Sequence, residues 1–290
     1  MKILFAADDQ PYSAYALKEA TKLALNTWAD VTFLGVAAAL PAREGETPAL
    51  VHPLAVTLHR YRELFLQDAG EDSPYALKNW QYEWLPVHNG LWEELRVCRG
   101  VKKDLKVRLR VGAGAPEILA AAREEESDLI VLGCARGEQC LWAGAQPVPQ
   151  RVVNDADGSV LLVKEEQPIS RILACLDQSY ISQDSLEMIN QMATIHGAPL
   201  ELIGLSQEGA MKKEVYRRLI EIGDYYEDRQ IQVTTQLAEV ADLEATLARE
   251  GGQNLLALWM GKKSLLDRFF PRDWVGRFVA KCPASVLVLR

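Results

Sequence analysis

Two places in this chain carry residue types able to hold a small ligand. Asp8-Asp9 closes the apolar run Ile3-Leu4-Phe5-Ala6-Ala7, and an acid ending a buried strand accepts hydrogen bonds either from a ligand or from the N–H groups of its own turn. Gly133 closes a second run, Asp128-Leu129-Ile130-Val131-Leu132, and opens a loop that contains Arg136, Gly137 and Gly144. Backbone N–H groups of a glycine loop can point at phosphate, and a following helix N-terminus adds its dipole. Arg136 reads either as a solvent-facing loop arginine, the favoured reading, or as a charge-assisted donor to a phosphate oxygen. The two places meet only if their strands are neighbours in an open parallel sheet. There the ligand crevice lies at the carboxyl ends of the strands, where the winding direction reverses.

Other chemistry finds little support. The four histidines (His52, His59, His88, His196) are scattered, and His88 beside Asn89-Gly90 reads as a turn residue rather than a base. No Ser/His/Asp set or group of acids beside a histidine argues for turnover, so no catalytic residue is assigned. The five cysteines (Cys98, Cys134, Cys140, Cys175, Cys282) contain no Cys-x-x-Cys, and a zinc site has little to draw on. Cys134 and Cys140 flank the glycine loop, where a redox pair is one reading, but nothing in the sequence activates either thiol and both are expected to be ordinary; Cys175 is expected to be core. A reducing cytoplasm fits this usage. The net charge of −8 argues against nucleic acid and against an anionic membrane surface. No apolar run reaches the ~20 residues that span a bilayer, and Met1 to Asp9 reads as a strand rather than a secretory signal.

The elements that position Asp8 and Gly133 occur twice. Ile3-Leu4-Phe5-Ala6-Ala7-Asp8 returns as Ile172-Leu173-Ala174-Cys175-Leu176-Asp177, an offset of 169 that also carries Ser13 onto Ser182. Asp128-Leu129-Ile130-Val131-Leu132-Gly133 matches the segment from Asn254 to Gly261 with a slip, and Ser159–Val163 matches Ser285–Leu289 at an offset of 126. The first copy therefore holds about 43 extra residues. Short apolar runs alternate with helical segments, the pattern of a parallel sheet covered on both faces. Strands are expected near 2–7, 31–36, 106–111, 128–132 and 159–163, and again near 171–176, 200–205, 230–235, 254–260 and 285–289. Ser13 reads as the cap of the first helix, Gly114-Ala115-Pro116-Glu117 opens another, and Arg123-Glu124-Glu125-Glu126 reads as a solvated helix end. These readings give two copies, 1–165 with an insertion at about 42–104, and 170–290, joined by a short polar linker.

Within the insertion, Ala55–Leu66 has helical spacing, Trp80–Trp84 reads as extended with one aromatic face, and Leu91–Leu95 as a helix start. Its tryptophans with Tyr75 and Tyr82 fit a mini-core over the sheet edge better than a ligand lid or a partner-binding face.

A strand ending in Asp, the helix after it, an Asp-Leu-Ile-Val-Leu-Gly strand and a terminal Val-Leu-Leu-Val strand, in this order twice, resemble the universal stress protein domain. The ending Lys281-Cys282-Pro283-Ala284-Ser285-Val286-Leu287-Val288 is similar to the family's own. The resemblance implies two doubly wound, five-stranded parallel-sheet domains of the adenine nucleotide α-hydrolase-like kind, in tandem and packed through their last strands. It implies ATP as ligand of the first copy, at Asp8, Val36, Gly133, Arg136, Gly137 and Gly144. The family's ATP binders carry Gly-x2-Gly-x9-Gly-Ser/Thr after this strand; here the gaps are three and six residues, and Ala145 follows Gly144. In the second copy Gly276 is the next glycine after Gly261, with Phe269, Phe270 and Trp274 in between. That copy is expected to hold no nucleotide, although Lys262, Lys263, Arg268 and Arg272 suit another anion. Three readings result: a non-catalytic stress-response module holding an adenine nucleotide, a pseudo-dimer acting through protein partners without a ligand, and an enzyme such as a slow ATPase or adenine nucleotide α-hydrolase. No catalytic set supports the last.

Overall fold

The computed structural model describes residues 1–40, 52–76, 82–88, 90–96, 103–135, 140, 142, 147–164, 168–176, 180–207, 209–250, 254–260 and 273–290. The first half supplies β1 (Lys2–Ala6), β2 (Asp30–Ala37), β3 (Tyr82–His88), β4 (Leu91–Arg96), β5 (Leu105–Val111), β6 (Leu129–Gly133) and β7 (Ser159–Val163). The second supplies β8 (Arg171–Leu176), β9 (Leu200–Ser206), β10 (Val233–Glu239), β11 (Asn254–Trp259) and β12 (Ser285–Leu289). All twelve form one sheet in the order β10-β9-β8-β11-β12-β7-β6-β1-β2-β5-β4-β3. Within it, β5-β2-β1-β6-β7 and β10-β9-β8-β11-β12 are parallel and wound alike.

Alternation along the strands makes two cores. Ile3, Phe5 and Ala7 face one side and Leu4 and Ala6 the other. The first face is covered by α1 (Pro11–Thr27), α2 (Pro53–Ala69), α5 (Gln183–His196) and α6 (Lys213–Glu227). The second is covered by α3 (Gly114–Glu124), α4 (Val148–Asp155), α7 (Leu243–Glu250) and α8 (Trp274–Lys281).

The halves join through β7 and β12, which pair antiparallel with Leu161 opposite Leu287. Around that pair one arrangement is built twice, at the offset of 126 seen in the sequence. The Lys164 amide donates to Ser285 Oγ (3.1 Å) and the Arg290 amide to Ser159 Oγ (3.3 Å). Lys164 Nζ donates to the Val279 carbonyl (2.6 Å), and Arg290 Nη2 to the Val153 carbonyl (2.6 Å). Each cation thus satisfies carbonyls left open in the last turn of the other half's helix. Burial pushes the Lys164 ammonium down to about 8 and lowers Arg290 as well. Helices α4 and α8 touch at Gly276, where a Cβ would lie 2.7 Å from the Gln150 carbonyl oxygen. On the opposite face Glu19 of α1 meets His196 of α5 at 2.9 Å.

Several expectations are corrected. Leu91–Leu95 is a strand, because β4 is hydrogen-bonded on both sides, to β3 and β5. Tertiary pairing overrides a weak helical period there, and the residues alternate, with Glu94 toward α2 and Glu93 toward α3. Strand β10 starts three residues later than expected. Segment 42–104 is not all insertion: α2 is the crossover between β2 and β5, as α6 is between β9 and β10. Gly35 and Gly204, related by the offset of 169, each let that helix approach. A Cβ would meet Leu54 of α2 at 2.8 Å in the first half, and Leu219 of α6 at 3.1 Å and the preceding Met211 at 2.6 Å in the second. The added structure is the β3–β4 hairpin.

The hairpin's described aromatics do form the expected mini-core. Trp84 is buried, and Trp92 packs against the same cluster; Trp80 lies outside the described residues. Tyr75 is fully buried and donates to the Ala24 carbonyl (3.2 Å). Beneath the hairpin Arg62 of α2 is paired with Glu94, both buried. The end of α3 is largely solvated, as expected: Arg123, Glu124 and Glu126 are exposed, and Glu125 alone is drawn partly inward. Glu124 pairs with Arg110, and Glu125 with Arg108 and with Lys106 (2.9 Å). Burial alone would raise the Glu125 carboxyl, but these two cations hold it below the usual carboxylate range.

Candidate functional site

Asp8, Val36 and Gly133 stand at the carboxyl ends of β1, β2 and β6, three adjacent strands, as the crevice argument requires. Arg136, Gly137 and Gly144 lie outside the described residues, as do Asp177 and the segment 261–272 with its basic and aromatic side chains.

The Asp8 carboxylate is buried and occupied by its own chain. Its Oδ1 accepts from Ser13 Oγ (2.7 Å) and from the Gln10 amide (3.1 Å), and its Oδ2 accepts from the Tyr12 hydroxyl. Its amide donates to Ser13 Oγ (3.1 Å), and its carbonyl accepts from Tyr61 of α2 (3.2 Å). This is the local use of a strand-end acid, in a turn held by side chain-to-backbone bonds.

Ser13 therefore does not cap α1. The helix begins at Pro11, whose fixed φ suits the first turn, and Ser13 sits inside it, aimed back at Asp8. In the second half Ser182 does cap α5, accepting from the Ser185 amide (3.1 Å). The first helix thus starts one turn earlier than its counterpart.

That extra turn explains Gly133. A Cβ there would lie 2.6 Å from the Tyr12 carbonyl carbon, so glycine is needed for α1 to pack on the end of β6. Trp142 is buried on the same side and donates Nε1–H to the Gly133 carbonyl (2.8 Å). Strand register pairs Gly133 with Val163 and Trp259 with Leu289. The counterpart of Gly133 is therefore Trp259, not Gly261. In the second half the fully buried Trp259 side chain fills the end of the strand, and the helix starts later.

Cys134 and Cys140, expected as ordinary thiols, form a disulfide with Cα atoms 5.2 Å apart. It ties the start of the loop back beside Tyr12 and Trp142 in one buried cluster. The two residues stand six apart in the sequence, with no neighbouring group that activates either thiol. Cys175 is buried core, as expected, and Cys282 is buried too. Trp274, expected to crowd a phosphate, instead stacks on Phe278 and donates to Glu244 (2.6 Å). These three residues help line a groove of about 360 Å³ between α7 and α8, in the other half from Asp8.

Among the described residues no group of three or more metal-ligating side chains converges. No helix among them is long and apolar enough to cross a membrane.

The fold recurs in solved structures. A universal stress protein from Archaeoglobus fulgidus superposes with a TM-score of 0.59 at 15% identity, over 100% of this chain and 96% of that one. A protein described as a putative universal stress protein from Pseudomonas aeruginosa gives 0.57 at 14% identity, over 99% and 92%. The cytoplasmic domain of a prokaryotic cation chloride cotransporter gives 0.53 at 11%, over 99% and 94%. No curated protein matches the chain. At these identities the structures speak for fold alone. The family model described as "Universal stress protein family" matches residues 1–164, more than half of the sequence, and on that match the chain belongs to the universal stress protein family.

Proposed function

We propose that this protein is a non-catalytic, tandem member of its family, one that takes part in the stress response through protein contacts rather than through a bound nucleotide. The observation that carries this reading is the Asp8 carboxylate, which is filled by Tyr12, Ser13 and the Gln10 amide. Trp142 on the Gly133 carbonyl and Trp259 at the matching strand end favour the same reading. A ligand would have to displace these groups and repay the hydrogen bonds it broke. In this reading the halves are 1–165 and 170–290, the second without nucleotide. The protein works, in this reading, in the cytoplasm.

A second reading keeps ATP on the first half, because Asp8, Val36 and Gly133 do stand together at adjacent strand ends. It requires Trp142 to leave the Gly133 carbonyl. Thermal unfolding with ATP, ADP and AMP, with and without Mg²⁺, separates the two. A ligand at ~100 Kd adds about 2.7 kcal/mol of apparent stability. We expect no saturable shift at about 10 mM ligand. A shift that disappears in Asp8→Ala would overturn the protein-contact reading in favour of the nucleotide.

A further inference from the structure

The two outer edges of the sheet are finished differently. Strand β5 would be the edge of the first half, but β4 pairs with it antiparallel and places Trp92 opposite Leu109. Leu109 is 0% exposed. Strand β10 holds the same position in the second half and is the terminal strand of the sheet. Leu109 is in register with Gly35, and Leu237 with Gly204, the glycines related by the offset of 169. Leu237 is thus the counterpart of Leu109, lying over Gly204 beside Leu219 of α6, yet it is 57% exposed. Tyr216 and Ile220, one turn apart on α6, are 52% and 50% exposed.

The edge also lacks the features that keep strands apart. The outermost strand at the other end, β3, carries Pro86 and a register shift between Pro86 and His88. Proline and bulges are how sheets blunt a free edge, as are lysines. Strand β10 reads Val233-Thr234-Thr235-Gln236-Leu237-Ala238-Glu239, with no proline, no lysine and a single charge at its end.

We infer that β10 is a dimerisation edge, pairing antiparallel with β10 of a second copy of this chain about a two-fold axis. An antiparallel pair of identical strands is self-complementary, as a closed two-fold interface must be. The uncharged ladder sets no like charges opposite one another. The chain already joins its own halves by an antiparallel pair, β7 with β12, and covers the matching edge of its first half with an antiparallel strand. The two Leu237 side chains then lie beside each other, flanked by Tyr216 and Ile220 of both copies, where the first half has Trp92. With Leu237 on the axis the ladder runs from Thr235 to Glu239 of each copy. With three apolar side chains per copy this is a small interface, so association is reversible and depends on concentration.

This inference deepens the protein-contact reading but rests on the edge alone, and the nucleotide titration tests that reading separately. The experiment is sedimentation equilibrium of the full chain from about 1 to about 200 µM. The mass should rise from 32.3 kDa toward twice that value. Leu237→Lys and Leu237→Glu, each exposed and checked for unchanged thermal unfolding, should each weaken association at least about tenfold, the effect of placing like charges side by side. Mixed one to one, the two variants should recover a dimer containing one of each. A wild-type chain that stays at 32.3 kDa throughout overturns the inference. So does a Leu237→Lys chain that dimerises like the wild type, or a mixture that fails to recover.

Discussion

The ends of β6 and β11 occupy the same place in the two halves and are filled in opposite ways. At β6 the strand ends in Gly133 and an extra helical turn brings Tyr12 onto it. At β11 the strand ends in Trp259 and the helix waits until Gln183 to begin. One volume is filled from the helix and the other from the strand. A strand-end crevice is therefore not a site merely because the winding provides it; side chains of the chain itself can take the space. Where the halves meet, by contrast, the same bonds are made twice, because a two-fold junction needs matching partners on both sides.

The largest effect expected from breaking this contrast is at Trp259. Trp259→Ala leaves a cavity in the second half and should cost about 3–5 kcal/mol in denaturant unfolding. A loss below about 1 kcal/mol would mean that the indole does not fill the strand end.

Gly133→Ala attacks the opposite solution. The added methyl meets Tyr12 main chain rather than a flexible side-chain tip. We expect a loss of about 1–3 kcal/mol, and a neutral result would place the first turn of α1 elsewhere.

The junction is sharpened by pH. The Lys164 ammonium is pushed down to about 8, while in the unfolded chain it titrates near the ordinary 10.5. Between those values the unfolded state binds more protons, so stability should rise with pH there, by up to about 1.4 kcal/mol per unit. Below pH 8 the cost of burying the charge is constant. The stability difference between wild type and Lys164→Met, followed from pH 7 to 10, should drift in favour of wild type. A flat difference would mean the ammonium is not buried against α8.

The smallest effect separates two serines at the same offset. Ser182→Ala removes a helix cap and should cost about 1 kcal/mol. Ser13→Ala should leave the start of α1 in place but remove the acceptor of the Asp8 amide and one of the two donors to Asp8 Oδ1, giving a loss of about 1–3 kcal/mol. Equal losses together with a frayed α1 in amide exchange would restore Ser13 as a cap.

The repeat, the strand order it implies and most strand positions were legible in the sequence, because buried parallel strands are continuous apolar runs and the offsets of 169 and 126 mark which runs correspond. Local chemistry also read Ala55–Leu66 as helix and Ser182 as the partner of Ser13. Other features depended on residues far apart in the chain. Leu91–Leu95 became a strand only because β5 and β3 lie on either side of it, and Glu124 and Glu125 found Arg110 and Arg108 across the fold. The sequence supplied an acid and a glycine at two strand ends and thereby determined that a crevice-like position exists. Only the tertiary structure decided what occupies it. Asp8 turns inward because Pro11 starts the helix early, and Gly133 is small because Tyr12 needs the space. Those are packing outcomes, fixed when helix and strand compete for one volume, and no spacing along the chain records which of them takes it.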